Sequence, residues 1–255
     1  MKQEERRIYL IKELLEEQPK YSTIEIPKEE QEQKNLLRSL MNVRMPRRTS
    51  QKFLEIHDQY LQEETKRKGI TDIEDLEPVR EGIYLWQGDI TTLKCDVIVN
   101  AANSQMLGCF SPCHGCIDNQ IHTFSGIRLR ADCAAIMRAQ GHEEETGQAK
   151  ITPAYNLPCK YVIHTVGPII YGKLTKKDKE LLASCYRSCL ELARDRGIKS
   201  IAFCCISTGE FHFPNDEAAR IAVKTVKEHK GDMEVIFNAF KEVDFEIYRE
   251  LLGAN

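Results

Sequence analysis

Four soft ligands crowd into eight residues of the run Gly108-Cys109-Phe110-Ser111-Pro112-Cys113-His114-Gly115-Cys116-Ile117-Asp118-Asn119. Thiolates and imidazole at such spacing suit Zn²⁺, which takes sulfur and nitrogen at roughly 2.0 to 2.3 Å, and Pro112 and Gly115 let a loop wrap around an ion. Ligand number decides what the ion does. Four protein ligands close it off, whereas three leave a position for water or substrate. Adjacent Cys113 and His114 would have to bend sharply to reach one ion, which favours three ligands. A redox pair at Cys113 and Cys116 is the competing reading, but that motif should open an apolar helix in a thioredoxin-like unit, and Ile117-Asp118-Asn119 follows instead. Asp118 can face the same pocket as a general acid or base, or steady a ligand. His122 reads as a packed histidine on the helix starting there, Cys204 and Cys205 as core, and His164 and His212 as core or loop residues.

Three further segments follow strand-like runs: Gly88-Asp89-Ile90-Thr91, Asn100-Ala101-Ala102-Asn103 and Ile206-Ser207-Thr208-Gly209-Glu210-Phe211. The stretch from Ser207 to Asp216 contains no Lys or Arg, yet it leads into a helix expected near Asn215. Free backbone N–H groups and the helix dipole can hold a phosphate there without side-chain cations. Asp89 can accept from an exocyclic amine, or simply serve a turn. The Asn103 amide both donates and accepts, which suits sugar hydroxyls.

These loops need a scaffold, and the pattern supplies one. From Gly82 onward, short apolar runs (Ile83 to Trp86, Asp96 to Asn100, Tyr161 to Val166, Ile201 to Ile206, Glu234 to Phe237) alternate with helical stretches at Asp178 to Arg196, Asn215 to Lys230 and Val243 to Leu252. Such alternation implies a largely parallel or mixed sheet covered on both faces, with its ligand crevice where strands end. The first 80 residues differ. They carry 16 basic and 17 acidic side chains and only Gly69, against 20 and 22 charges and thirteen glycines in the remaining 175 residues. Three helices are expected there, one closing at Pro19 and one capped by Ser50, as a packing appendage without chemistry of its own. The expected boundary gives a helical extension over 1–78 and a main domain over 79–255.

Composition excludes several classes. With 42% hydrophobic and 29% charged residues, and no run near the roughly 18 apolar residues of a membrane span, no membrane role is expected. A net charge of −3 gives no field for unspecific nucleic-acid binding. All ten cysteines lie from Cys95 onward and no secretory signal is visible, so a cytoplasmic protein with free thiols is expected.

Taken in order, these motifs, together with Gly147 to Pro158 and His164-Thr165-Val166-Gly167-Pro168, closely resemble the macrodomain family of ADP-ribose-binding modules and ADP-ribosyl hydrolases, over about residues 82 to 252. The resemblance implies a three-layer α/β/α fold with a mixed central sheet. It places Asp89 on the adenine amine and Ile90 beside it through backbone contacts, and Asn103 and Phe211 at the distal ribose. Ser207, Thr208, Gly209 and Glu210 form the phosphate-side loop. The cysteine run is similar to the motif of a zinc-dependent branch from bacterial and some fungal pathogens, which implies Cys109, His114 and Cys116 as ligands and Cys113 as a bystander. The activity implied is removal of mono-ADP-ribose from protein side chains, acidic ones first, with Asn103 and Asp118 catalytic. Implied partners are ADP-ribose, a mono-ADP-ribosylated lipoyl-carrier protein and a sirtuin-type transferase. A non-catalytic ADP-ribose reader with bracing zinc, and an O-acetyl-ADP-ribose deacetylase, use the same pocket.

Overall fold

The computed structural model describes residues 1–253, so the last two residues of the expected 79–255 domain lie outside it. Its N-terminal part is helical. Helices α1 (Gln3–Glu16), α2 (Glu30–Val43) and α3 (Gln51–Lys68) bury Leu10, Ile11, Leu14, Leu37, Leu40, Phe53, Tyr60 and Leu61 against one another as a separate apolar cluster. Each such side chain contributes about 1.5–3 kcal/mol when fully buried, so the extension holds its own core. Ser50 caps α3 as expected, its Oγ accepting from Phe53 N at 3.1 Å.

The main body is a six-stranded sheet built from β2 (Ile83–Gln87), β4 (Val97–Ala102), β5 (Ala149–Pro153), β6 (Tyr161–Val166), β7 (Ser200–Phe203) and β8 (Glu234–Ala239), in the order β2-β8-β7-β4-β6-β5. Only β5 runs antiparallel within it, which makes the sheet mixed, and the short β1 (Thr71–Asp72) and β3 (Leu93–Lys94) pair separately. Central strands are covered on both faces, so Val97, Ile98 and Val99 are fully buried in succession rather than alternating. Helices α6 (Lys176–Asp195), α7 (Asn215–His229) and α8 (Glu242–Leu252) pack side by side, while α4 (Ile117–Ser125) and α5 (Ile127–Gln140) pack together against β4 and β5. The architecture is the expected three-layer α/β/α arrangement with an N-terminal helical part. Expected ends shift modestly: β7 stops at Phe203 rather than Ile206, and β5 and α5 were not anticipated.

After β4 the chain passes through β5 to β6 on one side, then crosses to β7 on the other. That reversal opens a crevice beyond the carboxyl ends of β4 and its neighbours. The Asn103, Gly167 and Ser207 loops all leave the sheet there.

Candidate active site

The cysteine loop leaves β4 through Asn103 and returns into α4. Gly108 adopts φ +79°, and a Cβ at this residue would lie 2.7 Å from the buried His122 ring, so the turn requires glycine. Beyond it, Cys109, His114 and Cys116 each offer one ligand atom, all within 4.8 Å of one another, with Cys109 Sγ 3.8 Å from His114 Nδ1. Cys116 also caps α4, its Sγ accepting from Asn119 N at 3.4 Å. Burial pushes the Cys116 thiol up, so a thiolate there requires a cation beside it. Two sulfurs and an imidazole that converge in a half-buried pocket fit Zn²⁺ chemically. Cys113 turns away: at φ +54° its Sγ lies 3.2 Å from Ser39 Oγ and 3.3 Å from Asn35 O, on α2.

Asp118, buried in the first turn of α4, meets Asn103 beside this trio. Asn103 Nδ2 donates to Asp118 Oδ2 at 3.3 Å and to Gly108 O at 3.3 Å, while Asn103 Oδ1 accepts from Gln105 N. Asn100 Nδ2 donates to Asp118 Oδ1 at 2.8 Å and to His164 Nδ1 at 3.1 Å. Because an amide nitrogen cannot accept, His164 Nδ1 is the unprotonated atom and Nε2–H points at Thr152 Oγ1, 2.9 Å away. Burial holds the His164 imidazole down at about 3, hence neutral. Burial likewise pushes the Asp118 carboxyl up to about 6, against the opposing pull of the Asn100 hydrogen bond and of Arg130. His122, Cys133 and His164 form a second close group; both His164 nitrogens have hydrogen-bond partners, whereas neither ring nitrogen of buried His122 has one among the described residues.

Ser207, at φ +66°, turns the chain after β7 and buries an Oγ that has no hydrogen-bond partner among the described residues. Gly167 makes this possible, since a Cβ there would stand 2.0 Å from that oxygen. Thr208 Oγ1 bonds back to Cys205 O, Gly209 O accepts from His212 N, and Phe211 O accepts from Ile170 N at 2.9 Å, tying the loops after β6 and β7 together. Glu210 Oε1 lies 3.8 Å from His114 Nε2, so this loop and the cysteine loop share a wall.

Asp89 stands apart, at the outer strand β2. Its Oδ1 accepts from Thr91 N and Oγ1, its Oδ2 from Lys68 Nζ at 2.8 Å, and Ile90 beneath it is buried. Burial raises its carboxyl, but Lys68 and Thr91 win and hold it below the usual range. Away from the cleft the thiols are core: Cys95, Cys133, Cys159, Cys185, Cys189 and Cys204 are buried, and burial pushes each one up.

Sequence reasoning missed Asn100, Asn119 and the helical extension's part in this site. Lys68 comes from α3, and Arg38, Ser39 and Asn42 of α2 all touch the cysteine loop. Nothing local in the sequence announces these contacts, which span 21 to 81 residues.

Residues 99–222 match the Macro domain family model. A "Protein-ADP-ribose hydrolase" from Treponema medium is 60% identical over 99% of this chain and all of its own length, and one from Staphylococcus aureus is 48% identical over 95% and 93%. Among solved structures, a Trypanosoma brucei macrodomain in complex with ADP-ribose superimposes with a TM-score of 0.65 at 32% identity, covering 82% of this chain and 93% of that one. An Oceanobacillus iheyensis macrodomain with ADP gives 0.63 at 36%, covering 70% and 94%. No helix among the described residues is long and apolar enough to cross a membrane. With the sheet order, the strand-end cleft and relatives matched along nearly the whole sequence all in agreement, the chain belongs to the macrodomain family.

Proposed function

We propose that the protein hydrolyses the bond joining mono-ADP-ribose to a modified protein side chain, with Zn²⁺ held by Cys109, His114 and Cys116. One observation carries this reading: the Asn103–Asp118 pair and the three soft ligands meet at the end of β4, against the loop that presents Glu210. The names of the Treponema and Staphylococcus relatives support the same activity.

Asp89 follows β2 and Asn103 follows β4, three strand spacings away, about 14 Å across the sheet. A ligand touching both must be extended, as a nucleoside diphosphate sugar is. Asp89 takes the adenine amine, with Ile90 offering backbone contact. Ser207, Thr208, Gly209 and Glu210 cradle the diphosphate ahead of α7, and Phe211 borders the distal ribose. Asn103 fixes a ribose hydroxyl while Asp118, raised to about 6, accepts or returns a proton at its carboxyl near neutral pH. Bound Zn²⁺ supplies Lewis-acid stabilisation of developing negative charge at a ribose hydroxyl or water. The linkage is taken to be an ester to an acidic side chain, and a lipoyl-carrier protein modified by a sirtuin-type transferase is the substrate to try first.

Metal analysis of the purified protein, with release of ADP-ribose from an automodified acidic side chain before chelation, after it and after zinc is restored, tests this reading. Stoichiometric zinc and release that stops on chelation and returns with zinc are expected. Undiminished release from metal-free protein overturns the zinc assignment. Tight ADP-ribose binding with no release makes the protein a reader, and cleavage of O-acetyl-ADP-ribose alone makes it a deacetylase.

A further inference from the structure

Arg38, on α2 in the helical extension, sits behind the cysteine loop and contacts it at two points. Its Nη2 donates to His114 O at 2.6 Å and to Asn119 Oδ1 at 2.7 Å, and Nε donates to the same Oδ1 at 3.3 Å. Asn119 is fully buried, and with Oδ1 committed to Arg38 its Nδ2 must face the other way. It donates there to Ser111 O at 2.9 Å and Cys109 O at 3.4 Å, while its backbone N–H reaches Cys116 Sγ. One guanidinium therefore governs all three candidate ligand residues: His114 directly, Cys109 and Cys116 through Asn119. A second tie from α2 runs beside it, since Asn42 Oδ1 accepts from Cys113 N at 2.9 Å and Asn42 Nδ2 donates to Thr123. The helix end is fixed in turn by Arg130, whose Nη1 donates to the carbonyls of Met41, Asn42 and Arg44 and whose Nε donates to Leu107 O.

We propose that Arg38 is a positioning residue for the hydrolytic centre, and that the helical extension serves as the rigid backing of the metal-ligand loop rather than as a separate module. The proposal rests on the reading of that loop as catalytic. A backing role makes a specific demand on kinetics. The proposed ADP-ribose contacts at Asp89 and at Ser207 to Phe211 lie in loops that follow other strands, so loosening the cysteine loop should slow turnover while leaving ADP-ribose binding nearly intact. Groups that orient metal ligands are typically worth 10- to 100-fold in metal affinity or activity. A lysine at the same place keeps the charge but cannot fork to two acceptors, so it recovers only part of the effect.

The test uses the full chain with Arg38→Gln and Arg38→Lys, read by kcat for ADP-ribose release, ADP-ribose affinity, zinc content and amide hydrogen exchange over residues 109–119. Expected for Arg38→Gln is a fall of about 10- to 100-fold in kcat or zinc affinity, faster exchange confined to the loop and ADP-ribose affinity within about threefold of wild type, with Arg38→Lys between the two. Should Arg38→Gln not fold, Arg38→Lys alone decides. Wild-type kcat, zinc and loop exchange in both variants would overturn the proposal, as would ADP-ribose affinity falling in step with kcat. If wild-type protein holds no zinc yet Arg38→Gln still frees the loop and slows release, the metal assignment fails and the backing role stands.

Discussion

Both carboxylate oxygens of Asp118 face amide nitrogens, Asn100 on one side and Asn103 on the other, so its orientation is fixed before any ligand arrives. In the proposed mechanism such a residue acts in the transition state more than in ground-state binding. Asn103→Ala or Asp118→Ala is expected to lower single-turnover release about 10²- to 10⁴-fold, while ADP-ribose affinity changes by only about 0.5–1.5 kcal/mol. Wild-type release from both variants would remove these residues from the mechanism. At this scale the sequence was legible where chemistry is linear. Cys109, His114 and Cys116 lie within one loop, and two residues on stands Asp118. Asn100 escaped because its role comes from pairing across the sheet with His164, and Arg38 because its partners are 76 and 81 residues away.

Among elements, the turn at Gly108 sets where the cysteine loop begins. Gly108→Ala adds a methyl group 2.7 Å from the His122 ring at a backbone angle of +79°. His122 is itself packed in the interior, so the loop and not the ring must move. A loss of about 1–3 kcal/mol in denaturant unfolding is expected, together with reduced turnover. Stability and activity both unchanged would mean that the loop tolerates displacement. Long amphipathic elements such as α6 and α7 were readable from periodicity alone. Helix α5 was not, because its core face carries Arg130, a charged side chain buried as a cap for α2 carbonyls. Strand β5 was hidden by Lys150 and Pro153, which an edge strand accepts and a central one would not.

For the whole molecule, three buried neutral histidines set its acid tolerance. Burial holds His57 and His164 down at about 3 and His122 well below its ordinary value; Arg128 and Arg44 add to the effect at His57, and His164 and Arg130 at His122. The unfolded chain binds these protons near pH 6.5 and the folded one does not, so stability is full above that pH and falls below it. Each histidine costs about 1.4 kcal/mol per pH unit once past its unfolded value, and Asp118, raised to about 6, returns part of this between about pH 6 and 4. Urea midpoints should hold nearly level from pH 7.5 to about 6.5 and decline from there to pH 5, and a flat profile over the lower range would contradict neutral burial of the three rings. Charge and glycine content set the first 80 residues apart from the rest, yet the contacts by which the helical extension helps to build the cleft were not legible, since they exist only in tertiary structure. Burial also sorts the ten thiols into two chemical populations: six lie closed in the core, and the cysteine loop holds three of the partly open ones. A mild alkylating reagent followed by mass spectrometry should thus leave the core unmarked; on the proposed zinc site, stripping the metal should raise labelling at Cys109, while Cys116, whose thiol burial pushes up, should stay slow to react. On that proposal, the reactivity of one thiol, Cys109, becomes a meter of whether the loop holds its ion.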